Sequence, residues 1–209
     1  MFSLQTIFGK GDKFYGLLEA SAESASASAR ALIELLSTPS TEQSLEKFIH
    51  ARRREKELFA QISEQLVNTF VTVLDREDIE ALNGALYKIP KVVEKFAERY
   101  NLVSVRLGDV DFISRANMLE QACQVLEQMV KQLRHGMDLD NIKKLNDQLQ
   151  FIEAEADRQI LELYRDVYAN ETDPIRYLVK RDLFEILEKA IDRCRNAGNV
   201  VYHIVLKNS

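Results

Sequence analysis

Two pairs of acidic residues in the second half of the sequence have the spacing of ligands on a helix. Glu153 and Asp157 are four positions apart, and Glu188 and Asp192 repeat the same Glu-x-x-x-Asp spacing. Residues four apart on a helix point to the same side, with Cβ atoms about 5–6 Å apart. Four carboxylates on neighbouring helices repel one another unless a cation neutralises them. The pattern therefore predicts a metal site with these four residues as ligands.

The ligand type limits which metal such a site would hold. Oxygen-only ligation suits Mg, Mn, Fe, or Zn with waters. A single Glu-x-x-x-Asp is nevertheless common on helical surfaces, and Arg158, Lys189 and Arg193 are placed to form ordinary ion pairs. A metal-free helical interaction module, whose acids are all ion-paired, is the alternative that the residues leave open.

The sequence contains no recognisable catalytic motif. It has no P-loop, no GxSxG, no HExxH and no GxGxxG, and its three histidines are scattered as His50, His135 and His203. No histidine lies in the Glu-x-x-His arrangement of di-iron bundle oxidases. We therefore predict no catalytic residues and no enzyme activity, with a metal-dependent helical-bundle enzyme as the alternative. No substrate-binding residue is predicted.

Composition excludes several classes of protein. The 28 Lys and Arg residues are outnumbered by 33 Asp and Glu, a net charge of −5 that disfavours a nucleic-acid partner. Cys123 and Cys194 give neither a disulfide framework nor a zinc spacing, which favours a cytoplasmic location. No apolar run is long enough to predict a transmembrane segment.

Apolar residues recur every three or four positions, and only seven Gly and three Pro interrupt the chain. This pattern predicts an all-α fold. Asp12, after the Gly9-Lys10-Gly11 loop, is a candidate helix cap, as are Asp75 and Asp173. Short connections indicate antiparallel neighbours. The six predicted helices span 12–37, 41–71, 76–101, 109–135, 138–169 and 173–206.

The helices show an internal repeat with an offset of 98 residues. The offset pairs Phe14 with Phe112 and Glu55 with Glu153, and it drifts later because the second copy has a longer connection before its last helix. We therefore predict one domain over 1–209. Its two tandem three-helix bundles would be the repeats 12–101 and 109–206.

Several motifs together resemble the PhoU-like family of phosphate-transport accessory proteins. They are the opening segment from Leu4 to Leu18, the Leu-Asp-Arg-Glu-Asp-Ile turn at 74–79, the Glu-x-Glu-Ala-Asp-Arg helix at 153–158, and a closing motif. The closing motif is the most specific part and comprises Glu188, Asp192, Cys194, Asn196 and Asn199. The resemblance covers nearly the whole chain.

The resemblance implies a function as well as a fold. Such proteins are two three-helix bundles whose Glu-x-x-x-Asp pairs bind metal, and they regulate without catalysing a reaction. Their usual partners are low-affinity inorganic phosphate transporters of the Pit type. We accordingly expect a cytoplasmic regulator of inorganic phosphate transport that binds a metal, namely Fe, Zn or Mn. Attachment to the inner face of the membrane and association of several copies are left open.

The first repeat departs from this pattern. Phe59 stands where an aspartate is expected after Glu55, and Gly84 and Lys88 replace the acids of the third helix, which also contains Pro90. The first-repeat site is therefore predicted to be lost, with Phe59 turned inward and Lys88 reaching solvent. In the second repeat Arg195 occupies a position that is commonly acidic, and we expect it to pair with Glu188 or a neighbouring acid.

Overall fold

The computed structural model describes residues 4–38, 44–108 and 110–209, with the side chains of 4–12 and 106 left out. All described secondary structure is helical, which confirms the predicted all-α class. None of the described helices has an apolar stretch long enough to cross a membrane. The six helices are α1 (Leu4–Ser37), α2 (Glu46–Val67), α3 (Arg76–Leu107), α4 (Ile113–Gln132), α5 (Leu139–Asn170) and α6 (Pro174–Asn208).

Side-chain caps define the starts of the two helices that carry the predicted site. The carboxylate of Asp138 accepts hydrogen bonds from the backbone N–H groups at the start of α5, and Asp173 does the same for α6. Each cap satisfies donors that a helix N-terminus leaves free. Pro174 follows Asp173 at the first helical position, where a missing N–H costs nothing. The predicted cap at Asp75 is only positional, because its side chain makes no capping hydrogen bond.

Several predicted helix limits were wrong. Helix α1 begins at Leu4, so Gly9-Lys10-Gly11 and Asp12 lie inside it rather than before it. Helix α3 continues six residues beyond 101, because no breaker occurs until Gly108, whose φ of 66° is a left-handed conformation. Helix α2 starts at Glu46 and ends at Val67, and α4 covers only Ile113–Gln132. The predicted break at Pro39 and Ser40 lies outside the described residues.

The helices contact one another in two sets of three. Helices α1, α2 and α3 touch each other, as do α4, α5 and α6, and the two sets meet through α1 against α4 and α3 against α6. The consecutive helices α3 and α4 do not touch within the described residues. Superposition of the proposed repeats 12–101 and 109–206 stays a prediction.

Aromatic side chains pack where the two sets meet. Phe112, just before α4, stacks on Phe184 of α6 with ring centroids 4.6 Å apart, and it meets Phe96 of α3 edge-on at 5.6 Å. All three rings are buried. Because they belong to one continuous apolar core, the two sets of helices share a single interior rather than two separate ones.

Candidate functional site

The four predicted ligands lie on α5 and α6, which pack against each other. Arg195 of α6 lies among them. Its Nε is 3.2 Å from Glu153 Oε1 on α5, and its Nη2 donates a 2.6 Å hydrogen bond to Asp192 Oδ1. Asn196 donates a second hydrogen bond, of 2.9 Å, to Asp192 Oδ2. The guanidinium therefore neutralises one acid from each predicted pair.

The other two acids are not ion-paired with any described residue. Asp157 is exposed on α5, whereas Glu188 is half-buried on α6. Burial raises the pKa of Glu188, and the nearby charges of Asp157, Asp192 and Glu153 raise it further. The charge of Glu188 is therefore influenced by all three of the other predicted ligands.

The arrangement of these four side chains does not match a metal centre. Within the part of the chain that the structure describes, no group of three or more His, Cys, Asp or Glu side chains is arranged to hold one. Arg195 stands between Glu153 and Asp192, and a guanidinium carries only donors and cannot ligate. As the side chains lie, the four acids do not fit a metal site. Metal binding by them stays a prediction of the sequence.

Arg158, Lys189 and Arg193 do not form ion pairs with the four predicted ligands in the described residues. Arg158 pairs with Glu155 and Glu162 on its own helix, and neither of these is a predicted ligand. Lys189 and Arg193 form no ion pair with a described residue. Arg195 does pair with neighbouring acids, as predicted, although its partners are Glu153 and Asp192 rather than Glu188.

Two cysteines that are distant in sequence meet behind this face. Cys194, part of the closing motif, is fully buried on α6, and its Sγ lies 3.6 Å from Cys123 Sγ on α4. Contact with Cys123, followed by burial, raises the pKa of the Cys194 thiol well above its ordinary value. Both are free thiols that lie in the apolar core.

In the first repeat, Phe59 and Lys88 occupy positions where the PhoU-like pattern has acidic residues. Lys88 is exposed on α3, as predicted. Phe59 was predicted to turn inward, and it is half-buried, so its ring turns inward only in part. Its ring packs against Tyr87, with centroids 4.8 Å apart, and Tyr87 in turn lies beneath the guanidinium of Arg52 at 4.1 Å. An aromatic and cationic stack thus replaces the missing acids.

Glu55, the acid that remains at the lost first-repeat site and the repeat partner of Glu153, is a buried carboxylate. It has no exposed surface and accepts a 2.6 Å hydrogen bond from Ser21 Oγ of α1, while its Oε2 has no hydrogen-bond partner. Burial raises the pKa of Glu55, and the hydrogen bond from Ser21 opposes that shift. The run of small residues in α1 (Ser21, Ala22, Ser24, Ala25) was the available signal, because it lets α2 approach closely.

Comparison with known proteins gives relatives that span most of the chain, although no protein-family model matches it. The protein of Bacillus subtilis strain 168 named UPF0111 protein YkaA is 23% identical over 145 residues, 69% of this chain and 70% of that protein. A protein of Rhizobium meliloti strain 1021, provisionally named a pit accessory protein, is 19% identical over 201 residues, 94% of each chain.

Solved structures are similar over nearly the full length. A PhoU-like protein from Shewanella oneidensis MR-1 superposes with a TM-score of 0.79 and 17% identity, covering 93% of this chain and 99% of that one. A second structure from the same organism, provisionally named a PhoU-like phosphate regulatory protein, superposes with a TM-score of 0.78. Its sequence identity and coverage are the same as those of the first structure. The chain therefore has the PhoU-like fold, and the resemblance to PhoU-like proteins predicted from its sequence is confirmed.

Proposed function

We propose that this chain regulates inorganic phosphate transport without catalysing a reaction. The observation that supports the proposal is end-to-end similarity. The match to the pit accessory protein covers 94% of both chains, and the match to the PhoU-like protein leaves only 1% of that structure uncovered. A relative aligned over its whole length shares the complete arrangement of elements, so a function carried by the entire fold is the simplest one to have in common.

The α5–α6 face also supports a role without catalysis. Metal-dependent catalysis needs a metal with an open coordination position and a tuned acid or base beside it. Here the guanidinium of Arg195 binds Glu153 and Asp192. Acids satisfied by a protein cation are suited to hold α5 and α6 together, which is a structural contribution to a regulator.

The proposed partner is a phosphate transporter of the Pit type, which spans the membrane. The chain would act from the cytoplasm at the inner face of that membrane. Association of several copies is compatible with this role but is not required by it. The chain itself needs no membrane-spanning helix, because the transporter supplies the passage for phosphate.

Phosphate uptake in the source organism tests this proposal. Deleting the gene should change the rate of radiolabelled phosphate uptake through the Pit-type transporter, and re-expressing the chain should restore it. The affinity-tagged chain should also retain that transporter from detergent-solubilised membranes, while an unrelated transporter serves as the control. Uptake that is unchanged at both low and high phosphate concentrations would contradict the proposal.

Metal binding by Glu153, Asp157, Glu188 and Asp192 is a separate proposal. A metal at this face would supply the positive charge that the clustered carboxylates require. Arg195 supplies that charge to two of them already, so metal and guanidinium would compete for the same oxygens. Elemental analysis of protein purified without added metal, together with the Arg195 variant described below, tests this proposal independently of transport.

A further inference from the structure

A cleft between α3 and α6 is lined by five cationic side chains, and we call this cleft the basic groove. Its volume is about 530 Å³, within the range of about 300–1,000 Å³ that small-molecule sites occupy. Val92 and Ile186 provide apolar surface inside it. The cations are Lys88, Lys91 and Lys95 of α3 with Lys189 and Arg193 of α6.

The cations of the basic groove have no close ion-pair partner, although the charge of Lys189 also acts on Glu188. None of the five has a carboxylate within 4 Å among the described residues, and all except the half-buried Arg193 are exposed. Other lysines of this chain do have such partners: Lys131, Lys180 and Lys207 each lie within 3 Å of a carboxylate oxygen. In a chain of net charge −5, an unpaired concentration of positive charge in a cleft attracts anions.

Two acids also line the basic groove, Glu94 and Glu98. Glu94 lies 3.7 Å from Arg52 Nε, a cation of α2 that is outside the groove. The positive charge of Arg52 therefore compensates the negative charge of Glu94. The groove retains an excess of positive charge, five cations against two carboxylates, one of which is already paired.

The spacing of the lysines indicates the shape of the ligand. Lys88 and Lys95 are seven residues apart on one helix, a row about 10 Å long at 1.5 Å per residue. A single orthophosphate would contact only one end of such a row, whereas a chain of linked phosphates reaches several ammonium groups. Lysine binds phosphate oxygens as a point charge and tolerates varied geometry.

We propose that the basic groove binds an anion of linked phosphate groups, either inorganic polyphosphate or the triphosphate of a nucleotide. The two sources share the charged chain and differ in the base, which would contact Val92 and Ile186. Binding in the groove requires no transporter, so it can be measured on the purified chain even if the role in phosphate transport is refuted.

Isothermal titration calorimetry with sodium tripolyphosphate, ATP and orthophosphate tests this proposal. We expect tripolyphosphate or ATP to bind, orthophosphate to bind at least about tenfold more weakly, and the affinity to fall as salt is added. ATP binding more tightly than tripolyphosphate would identify a nucleotide as the ligand. Equal or weaker ATP binding would identify the inorganic chain.

A matched pair of double variants locates the binding. Lys91→Gln with Lys95→Gln removes two groove cations, and Lys143→Gln with Lys144→Gln removes two exposed lysines of α5 that also lack an ion pair among the described residues. The groove variant should lose at least about tenfold in affinity, and the control should change less than twofold, with both melting temperatures preserved.

Three results would overturn the proposal. They are the absence of binding of both tripolyphosphate and ATP to the unmodified chain, an equal loss of affinity in the two double variants, and tighter binding of a polyglutamate peptide than of tripolyphosphate. The last result would make the basic groove a site for an acidic protein segment instead.

Discussion

Arg195 of α6 lies 3.2 Å, through its Nε, from Oε1 of Glu153 on α5, and its Nη2 hydrogen-bonds Asp192 one helical turn away. The three side chains are each 22–30% exposed, so their charges are partly shielded from water. One arginine therefore links two helices and compensates one acid of each Glu-x-x-x-Asp pair.

Replacing this arginine should destabilise the protein at neutral pH. Arg195→Met keeps a long, helix-forming side chain but leaves Glu153 and Asp192 without their cation. We expect the free energy of unfolding at pH 7 to fall by about 1–2 kcal/mol, because the pairs are less solvated than surface ion pairs. Urea denaturation at pH 7 measures this effect.

Arg193→Met is the matched control for this change. Arg193 lies on the same helix, but no described carboxylate is within 4 Å of it. Its replacement should alter stability by less than about 0.5 kcal/mol, because no ion pair with a described residue is lost. Equal losses in the two variants would show that the contacts of Arg195 with Glu153 and Asp192 contribute little.

The metal prediction can be separated from the ion pair by using the same variant. Fe, Mn or Zn should raise the melting temperature, since binding to the folded state alone adds about 2.7 kcal/mol at a hundredfold excess over the dissociation constant. If Arg195 competes with the metal, the rise should be larger in Arg195→Met than in the unmodified chain. It should disappear when Asp157→Ala and Asp192→Ala are combined.

Two measurements check this expectation, namely differential scanning calorimetry with and without chelator and elemental analysis. Absence of metal from the protein as purified, together with unchanged melting in metal and in chelator, would refute the assignment. A chelator response that survives in the double aspartate variant would instead show that the ligands are other residues.

Glu55 should make stability depend on pH in a defined direction. Burial raises its pKa in the folded protein above the ordinary value of 4.5. The folded state therefore takes up the proton more readily than the unfolded state, so the stabilising contribution is complete below pH 4.5 and is lost as pH rises through the folded value. Glu55→Gln should remove this loss and make the protein more stable at pH 7.

The amide oxygen of that glutamine can still accept the hydrogen bond from Ser21. Glu57→Gln is the control, because Glu57 is exposed on the same helix. Denaturation at several pH values between 4 and 8 measures the free energy of unfolding. This free energy should depend less on pH in Glu55→Gln than in the unmodified chain or in Glu57→Gln. An unchanged pH dependence would mean that the ionised form of Glu55 does not destabilise the folded protein.

Two helical glycines should respond oppositely to alanine. A Cβ at Gly198 of α6 would collide with Leu149 Cδ2 and lie 3.4 Å from Met129 Sδ, whereas a Cβ at Gly84 of α3 would meet nothing within 4 Å. Gly198→Ala should therefore cost about 1–3 kcal/mol through overpacking. Gly84→Ala should stabilise by about 0.5–1 kcal/mol through helix propensity. Chemical denaturation measures both, and a stabilised Gly198→Ala would disprove the tight contact.

Much of the secondary structure could be predicted because its causes are local. The three- and four-residue apolar spacing predicted six helices, and Asp173 before Pro174 predicted the start of α6. The start of α1 was predicted too late, since Gly9 and Gly11 were interpreted as a loop. Two glycines do not break a helix when the residues on both sides favour it, because each costs only about 1 kcal/mol relative to alanine.

By itself the sequence determined which residues share a helix face. Glu153 lies beside Asp157, and Glu188 beside Asp192, because residues four positions apart in a helix fall on the same side. The resemblance of the chain to PhoU-like proteins was equally accessible, since its motifs are short stretches of consecutive residues. These features depend on the backbone period and on residue order, and neither requires knowledge of how the helices pack.

Only the tertiary structure decided which groups meet across helices. It placed Arg195 against Glu153, buried Glu55 beneath Ser21, and brought the lysines of α3 opposite Lys189 and Arg193 of α6. Such partners depend on how each helix is rotated about its axis and on how closely its neighbour approaches. Those two quantities are set by the packing of the whole apolar core, which no local segment of the chain contains.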